Sequence, residues 1–205
     1  MSLTNETLDS FTRELGSRSP VPGGGGASAL VASLGAALAA MVGNLTAGKE
    51  KFAAYEDELR ELIAQAQALS EKLNRLIDAD AEAFLPLSAV YAMPKEAPER
   101  AERMEQALRA AAEVPLEILR CACQGIELHA RLETKCSALA VSDVATGVVF
   151  CWSALYGAAI NVKVNTRLMT DRAYVRRLDE ETERLMGTYW KMADEVYERI
   201  WAKLS

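Results

Sequence analysis

Histidine is almost absent from this chain: His129 is the only one among 205 residues. Zinc centres built on clustered His and Cys have no ligand set here, and Ser-His-Asp or Cys-His catalysis is open only through that one residue. His129 follows a helical run beside Arg131 and Glu133, a setting that predicts an exposed or capping side chain. The four cysteines, Cys121, Cys123, Cys136 and Cys151, form no CxxC motif, and no signal peptide opens the chain. Reduced thiols in a cytoplasmic protein are expected. Basic runs and stripes are missing as well. A net charge of −6 and a pI near 5.0 argue against general nucleic-acid binding.

Charge is missing altogether from Ser19 to Gly48. This window opens with four glycines, Gly23 to Gly26, and continues as a helix built mainly from Ala, Gly, Ser, Leu and Val. Glycines let the backbone take positive φ and pass close to another group. The first amides of the helix that follows have no intrahelical partner and can receive an anion or a polar ligand edge. Gly23, Gly24 and Gly25 are therefore candidate ligand-binding residues. The run lacks the Lys-Ser/Thr of a P-loop and the GxGxxG register after a strand, so a plain flexible loop is the competing reading. Gly35, Ala39 and Gly43, at i, i+4 and i+8, predict a flat face for close helix approach. A membrane span would be richer in Leu, Ile and Phe, so a buried central helix is expected.

No stretch alternates apolar and polar residues long enough to make a sheet. The pattern predicts six helices in an all-α bundle of one domain over residues 1–205: Leu3–Leu15, Gly25–Ala47, Glu50–Ala92, Ala97–Arg131 with a bend at Pro115, Ser142–Val164 and Asp171–Leu204. The fifth is again uncharged, from Val144 to Val162. Two such helices are hard to cover with four others, which predicts a homodimer burying one of them.

Polar residues that break this pattern are the candidates for chemistry. On the third helix Leu69, Leu73, Leu76/Ile77, Asp80, Phe84 and Leu87 step by three and four, placing Asp80 on an apolar stripe. A carboxylate there must find partners or shift its pKa upward, which suits a general acid/base. A structural Asp capping a neighbouring helix is the alternative. Asp78 falls on the opposite side, where solvation accounts for it. Asp143, after the plausible N-cap Ser142, suits a helix dipole or a catalytic role. Asn161 lies five turns further on the same face and Asn165 one turn beyond. At ~1.5 Å per residue Asp143 and Asn161 are ~27 Å apart, so they share a ligand only across a dimer interface. Asn44 and Thr46 end the second helix and can face the glycine pocket.

Three blocks in order resemble a known family. Ser19-Pro20-Val21-Pro22-Gly23-Gly24-Gly25 with Met41-Val42-Gly43-Asn44-Leu45-Thr46 is the first. Ile77 to Phe84 with Met93-Pro94-Lys95 is the second, and Ser142-Asp143-Val144 with Asn161-Val162-Lys163-Val164-Asn165 is the third. Together they are similar to the C-terminal family of formiminotransferase-cyclodeaminases, which includes formiminotetrahydrofolate cyclodeaminases and bacterial methenyltetrahydrofolate cyclohydrolases. Gly26 stands where family members often have Ser, and Thr166 where Leu or Ile is usual. The resemblance implies an all-α dimer acting on the one-carbon unit between N5 and N10 of tetrahydrofolate, without the preceding formiminotransferase domain. It further implies a folate derivative as substrate, no permanently bound cofactor and no metal. On that reading Asp80 is the acid/base, with Asp143 the second candidate. Lys95 or Lys163 meets glutamate carboxylates, and Asn44, Asn161 and Asn165 line the pocket. Ammonia release, hydrolysis, and an inactive folate-binding or dimerisation module are the alternatives at this point.

Overall fold

Six α-helices and three short 3-10 turns make up a computed structural model describing residues 2–204, with no strand among those residues. The helices are α1 (Leu8–Leu15), α2 (Gly24–Thr46), α3 (Glu56–Tyr91), α4 (Arg100–Leu132), α5 (Val141–Thr166) and α6 (Arg172–Leu204). Their order and number match the sequence pattern, and the boundaries shift by a few residues. The expected first helix divides: Leu3–Asn5 is a 3-10 turn, and α1 begins after Thr7, whose side chain accepts from the Ser10 amide at 3.1 Å. The cause is Asp78, which is not merely solvated. It accepts from the Leu3 amide and the Ser2 hydroxyl, both at 2.6 Å, and fastens the N-terminus to α3. Likewise Glu50–Tyr55 is a 3-10 turn ahead of α3.

Helix α2 is the centre of the bundle, packed on α3, α4 and α5. Both α2 and the segment Ala138–Thr166 are long and apolar enough to cross a membrane by length and composition. For α2, 61% of its most apolar window is buried inside the bundle, as expected of a core helix; for Ala138–Thr166 only 39% is. Leu34, Met41 and Leu45 of α2 and Tyr156, Ile160 and Val164 of α5 are exposed.

The small residues of α2 do not form one flat face. An added Cβ at Gly35 would stand 2.6 Å from Cys151 Sγ on α5, whereas one at Gly43 would stand 2.5 Å from Ile63 on α3. Gly35 belongs to a junction of three helices with Gly125 of α4 and Gly147 of α5. A Cβ at Gly125 would meet Cys151 Sγ at 2.5 Å, and one at Gly147 would meet the His129 ring at 2.1 Å. His129 is therefore fully buried, not exposed or capping. The charged neighbours that suggested a surface turn elsewhere: Glu133 is itself buried, held by Arg199 at 2.8 Å and Lys203 at 3.1 Å from α6. Ser142 is not the N-cap of α5 either, because the helix begins one residue earlier, after Ala140.

The His129 Nε2–H donates to the Gly35 carbonyl at 2.9 Å, and Nδ1 is buried without a partner. Protonating Nδ1 would place a cation in an apolar junction, and burial pushes the His129 pKa down from 6.5 to about 4. Between those values the unfolded chain binds a proton that the folded chain refuses, so stability falls as pH drops through this window. Urea midpoints recorded from pH 6.5 to 4 should decline less steeply in His129→Gln, which keeps a donor for Gly35, than in the parent. Parallel declines would show that His129 does not carry the loss.

Candidate active site

The chain enters α2 through Pro20, Val21 and a cis Val21–Pro22 bond, and Gly23 precedes the helix in an extended conformation. None of the four consecutive glycines takes positive φ; Gly48, at 77°, is the one described residue that does. Space, not backbone conformation, demands glycine here. A Cβ on Gly25 would stand 2.1 Å from Asp80 Oδ1, and a Cβ on Gly24 3.2 Å from Asn161 Nδ2. At Gly26 the nearest atoms would be 3.7 Å away, an ordinary contact, which explains how a serine can occupy this place in similar sequences.

Asp80 arrives from α3, at the point where the buried stripe Leu69, Leu73 and Ile77 opens toward solvent. Its Oδ2 accepts from the Gly26 amide at 2.8 Å, so the positive end of α2 is used first by a side chain of the protein itself. Its Oδ1 lies over the Gly25 Cα with no hydrogen-bond donor on it. Desolvation raises the Asp80 pKa above the ordinary aspartate value, and the Gly26 amide offsets part of that rise. The result is a carboxyl held in place by one oxygen and free to exchange a proton at the other.

A cavity of about 200 Å³ opens in front of this carboxyl. It is lined by Gly23, Gly24, Gly25, Asp80, Asn161 and Asn165, with Pro20, Val21, Phe84, Ala111, Pro115 and Val164 supplying apolar walls. Asp80 is the only ionisable side chain in this lining. Six of the residues singled out from sequence therefore meet in one place. Phe84, Ala111 and Pro115 were not foreseen. Pro115 carried a readable signal: a proline inside a helix leaves the carbonyl four residues earlier without its donor. That carbonyl belongs to Ala111, and the Asn165 side-chain amide supplies the missing donor at 2.9 Å.

Other expected site residues lie elsewhere. Asp143 stands in the first turn of α5 and does not line the Asp80 cavity; the unbroken helix to Thr166 preserves its ~27 Å separation from Asn161. Asn44 faces a separate groove with Met41, Gln67 and Glu71 between α2 and α3, so it does not share the glycine pocket. Thr46 turns inward, donating to the Val42 carbonyl at 2.8 Å and accepting from the Ser137 amide at 3.1 Å. Lys163 is paired with Asp179 at 2.7 Å on the α6 side. The same Asp179 accepts from Thr166 at 2.9 Å, which gives the hydroxyl a reason to stand where an aliphatic residue is usual. Lys95 is exposed in the segment between α3 and α4.

Comparison with known proteins finds relatives over nearly the whole chain. The model of the family described as Formiminotransferase-cyclodeaminase matches residues 7–184. A methenyltetrahydrofolate cyclohydrolase from Methylorubrum extorquens is 34% identical over an alignment of 205 positions that covers 98% of this chain and 99% of that one. A formimidoyltransferase-cyclodeaminase from Rattus norvegicus is 36% identical over 84% of this chain but 33% of its own length. The chain thus spans about a third of such longer relatives. In structure, a formiminotetrahydrofolate cyclodeaminase from Thermotoga maritima shares the fold, with a TM-score of 0.84 at 24% identity, covering 96% of this chain and 98% of that one.

The raised pKa makes an ionised Asp80 a cost to the folded state at neutral pH, a cost that protonation would relieve. Asp80→Asn keeps an oxygen for the Gly26 amide and removes that charge. It should melt at pH 7 at the same temperature as the parent or higher. A clear fall would mean that the carboxylate stabilises the glycine turn.

Proposed function

The chain belongs to the formiminotransferase-cyclodeaminase family, and we propose that it acts on the one-carbon unit between N5 and N10 of tetrahydrofolate as a formiminotetrahydrofolate cyclodeaminase. The observation that carries this reading is Asp80: a partly buried carboxyl, anchored through one oxygen, facing a cavity with no other charge. In the cyclodeaminase reaction N10 attacks the protonated formimino carbon and a tetrahedral intermediate forms, its carbon bonded to N5, N10 and the amino group. Asp80 takes the N10 proton and hands it to the departing amine, so ammonia leaves and 5,10-methenyltetrahydrofolate remains. One group serves as base and then as acid, as its raised pKa and free Oδ1 permit. Its negative charge also favours the cationic amidinium that accumulates along this path.

One observation favours hydrolysis as a second reading. The relative matched end to end is named a methenyltetrahydrofolate cyclohydrolase, whereas the relatives named for both activities are about three times as long. There, Asp80 would deprotonate water adding to the methenyl carbon and return the proton to N5, giving 10-formyltetrahydrofolate. Under either reading the folate is substrate and not a resident cofactor. Asp143 acts at the start of α5 through the helix dipole, and Lys95 is the cation assigned to glutamate carboxylates beyond the cavity. The unpaired cysteines, three of them buried, fit a cytoplasmic site of action.

Turnover of the formimino and methenyl substrates, assayed side by side, tests the reading. Ammonia release from the first supports deamination, and loss of the methenyl absorbance without ammonia supports hydrolysis. Asp80→Asn should lower whichever rate is found by at least ~10²-fold, the low end for removing a general acid/base. Undiminished turnover in the folded variant would remove Asp80 from the chemistry.

Exposed apolar side chains on α5 support a homodimer. Ile160, 68% exposed, with Tyr156 and Val164 one turn to either side of it, offers a second copy apolar area. Light scattering at micromolar concentration should give twice the chain mass, and Ile160→Asp should give the monomer with its helicity intact. A stable monomer of the parent protein would defeat the proposal.

A further inference from the structure

The Asp80 cavity holds hydrogen-bonding groups whose polarity is set by the fold, and this polarity selects one end of the ligand. Asn161 donates through Nδ2 to the Gly157 carbonyl at 2.8 Å. Asn165 donates through Nδ2 twice, to the Ala111 carbonyl at 2.9 Å and to the Asn161 carbonyl at 2.8 Å. Neither side chain can turn over without aiming an oxygen at a carbonyl, and for Asn165 the loss would strand the carbonyl that Pro115 already deprives of its helical donor. Both Oδ1 atoms are thus left as acceptors, and Asn161 keeps one further Nδ2–H beside Gly24. With Asp80 they make three acceptors. The first-turn amides of Gly24 and Gly25, which have no carbonyl four residues back within the helix, are the donors opposite them.

This set does not suit a carboxylate tail. A glutamate carboxylate only accepts, and beyond the Gly24 and Gly25 amides it would meet two amide oxygens and the Asp80 carboxylate with no Lys, Arg or His in the lining to balance the charge. The size points the same way. At about 200 Å³ the cavity is smaller than the roughly 300–1,000 Å³ that encloses a drug-sized ligand, so only one end of a folate enters. The reduced pterin presents an exocyclic amino group and ring N–H donors beside a single carbonyl acceptor, and its flat faces fit between Phe84, Pro20 and Val164. We propose that the cavity takes the pterin end of the substrate, with Asn161 and Asn165 accepting from its amino and ring N–H groups and the glutamates left outside. This inference rests on the folate reading above.

Equilibrium binding to the intact protein tests it with three probes: 5-formyltetrahydrofolate, pteroic acid, which lacks the glutamate, and p-aminobenzoylglutamate, which lacks the pterin. Pteroic acid should compete with 5-formyltetrahydrofolate and p-aminobenzoylglutamate should not. Asn161→Leu should weaken tetrahydrofolate about 10-fold, as one buried hydrogen bond predicts, while weakening its 2-desamino-2-methyl analogue much less. A structural defect would weaken both equally. Competition by p-aminobenzoylglutamate, with none by pteroic acid, overturns the orientation and leaves the folate reading standing. Failure of all three probes to bind the parent protein overturns the folate reading itself, and the orientation with it.

Discussion

The hydrogen bond from the Gly26 amide to Asp80, made across a glycine with no side chain, is the contact on which the site depends. It joins α2 to α3 at the only place where the core stripe of α3 carries a charge. It needs Gly25 bare, because any Cβ there would overlap the carboxylate. It also decides the character of the acid/base. Partial desolvation raises the pKa, and the Gly26 amide on one oxygen offsets part of that rise, so the ion is not left unpaired. The helix N-terminus that looked ready for an external anion is occupied in part by the protein's own carboxylate, and the ligand meets what remains.

The opposite wall of the cavity follows from a defect that is compensated. Pro115 interrupts the hydrogen-bond ladder of α4, and Asn165 of α5 repairs it. The repair fixes the rotamer of Asn165, and through the Asn161 carbonyl it ties the last two turns of α5 together. A backbone irregularity in one helix is thereby converted into a defined pattern of acceptors on the next. Rigid helices carry the site on both sides, and that keeps its polar atoms in register with a planar ring.

Stability and chemistry are separated in space. The junction of Gly35, Gly125 and Gly147 lets α2, α4 and α5 approach closely, and His129 and Cys151 fill the gap. Both groups are held in their neutral forms: burial lowers the pKa of His129 and pushes that of Cys151 up to about 12. Neither lines the Asp80 cavity. Residues that would be reactive at a surface are here packing elements.

The sequence by itself determined the six helices, the central position of α2 and the place of Asp80 on the core stripe of α3. All three depend on local periodicity: an uncharged small-residue run, and a carboxylate at a position whose neighbours three and four residues away are apolar. It also pointed to Asn161 and Asn165, as amides at the end of an apolar helix. Only the tertiary structure decided which candidates share a cavity. Asn44, Lys163 and Asp143 have the right chemistry but point to other neighbours or stand too far along a helix. His129 was misplaced for the same reason, since its charged neighbours find partners on α6 and in Glu58 of α3. Asp78 looked solvated because its donors lie 75 residues away at Leu3. A side chain's partner across such separations is set by how helices cross, and no local pattern encodes that.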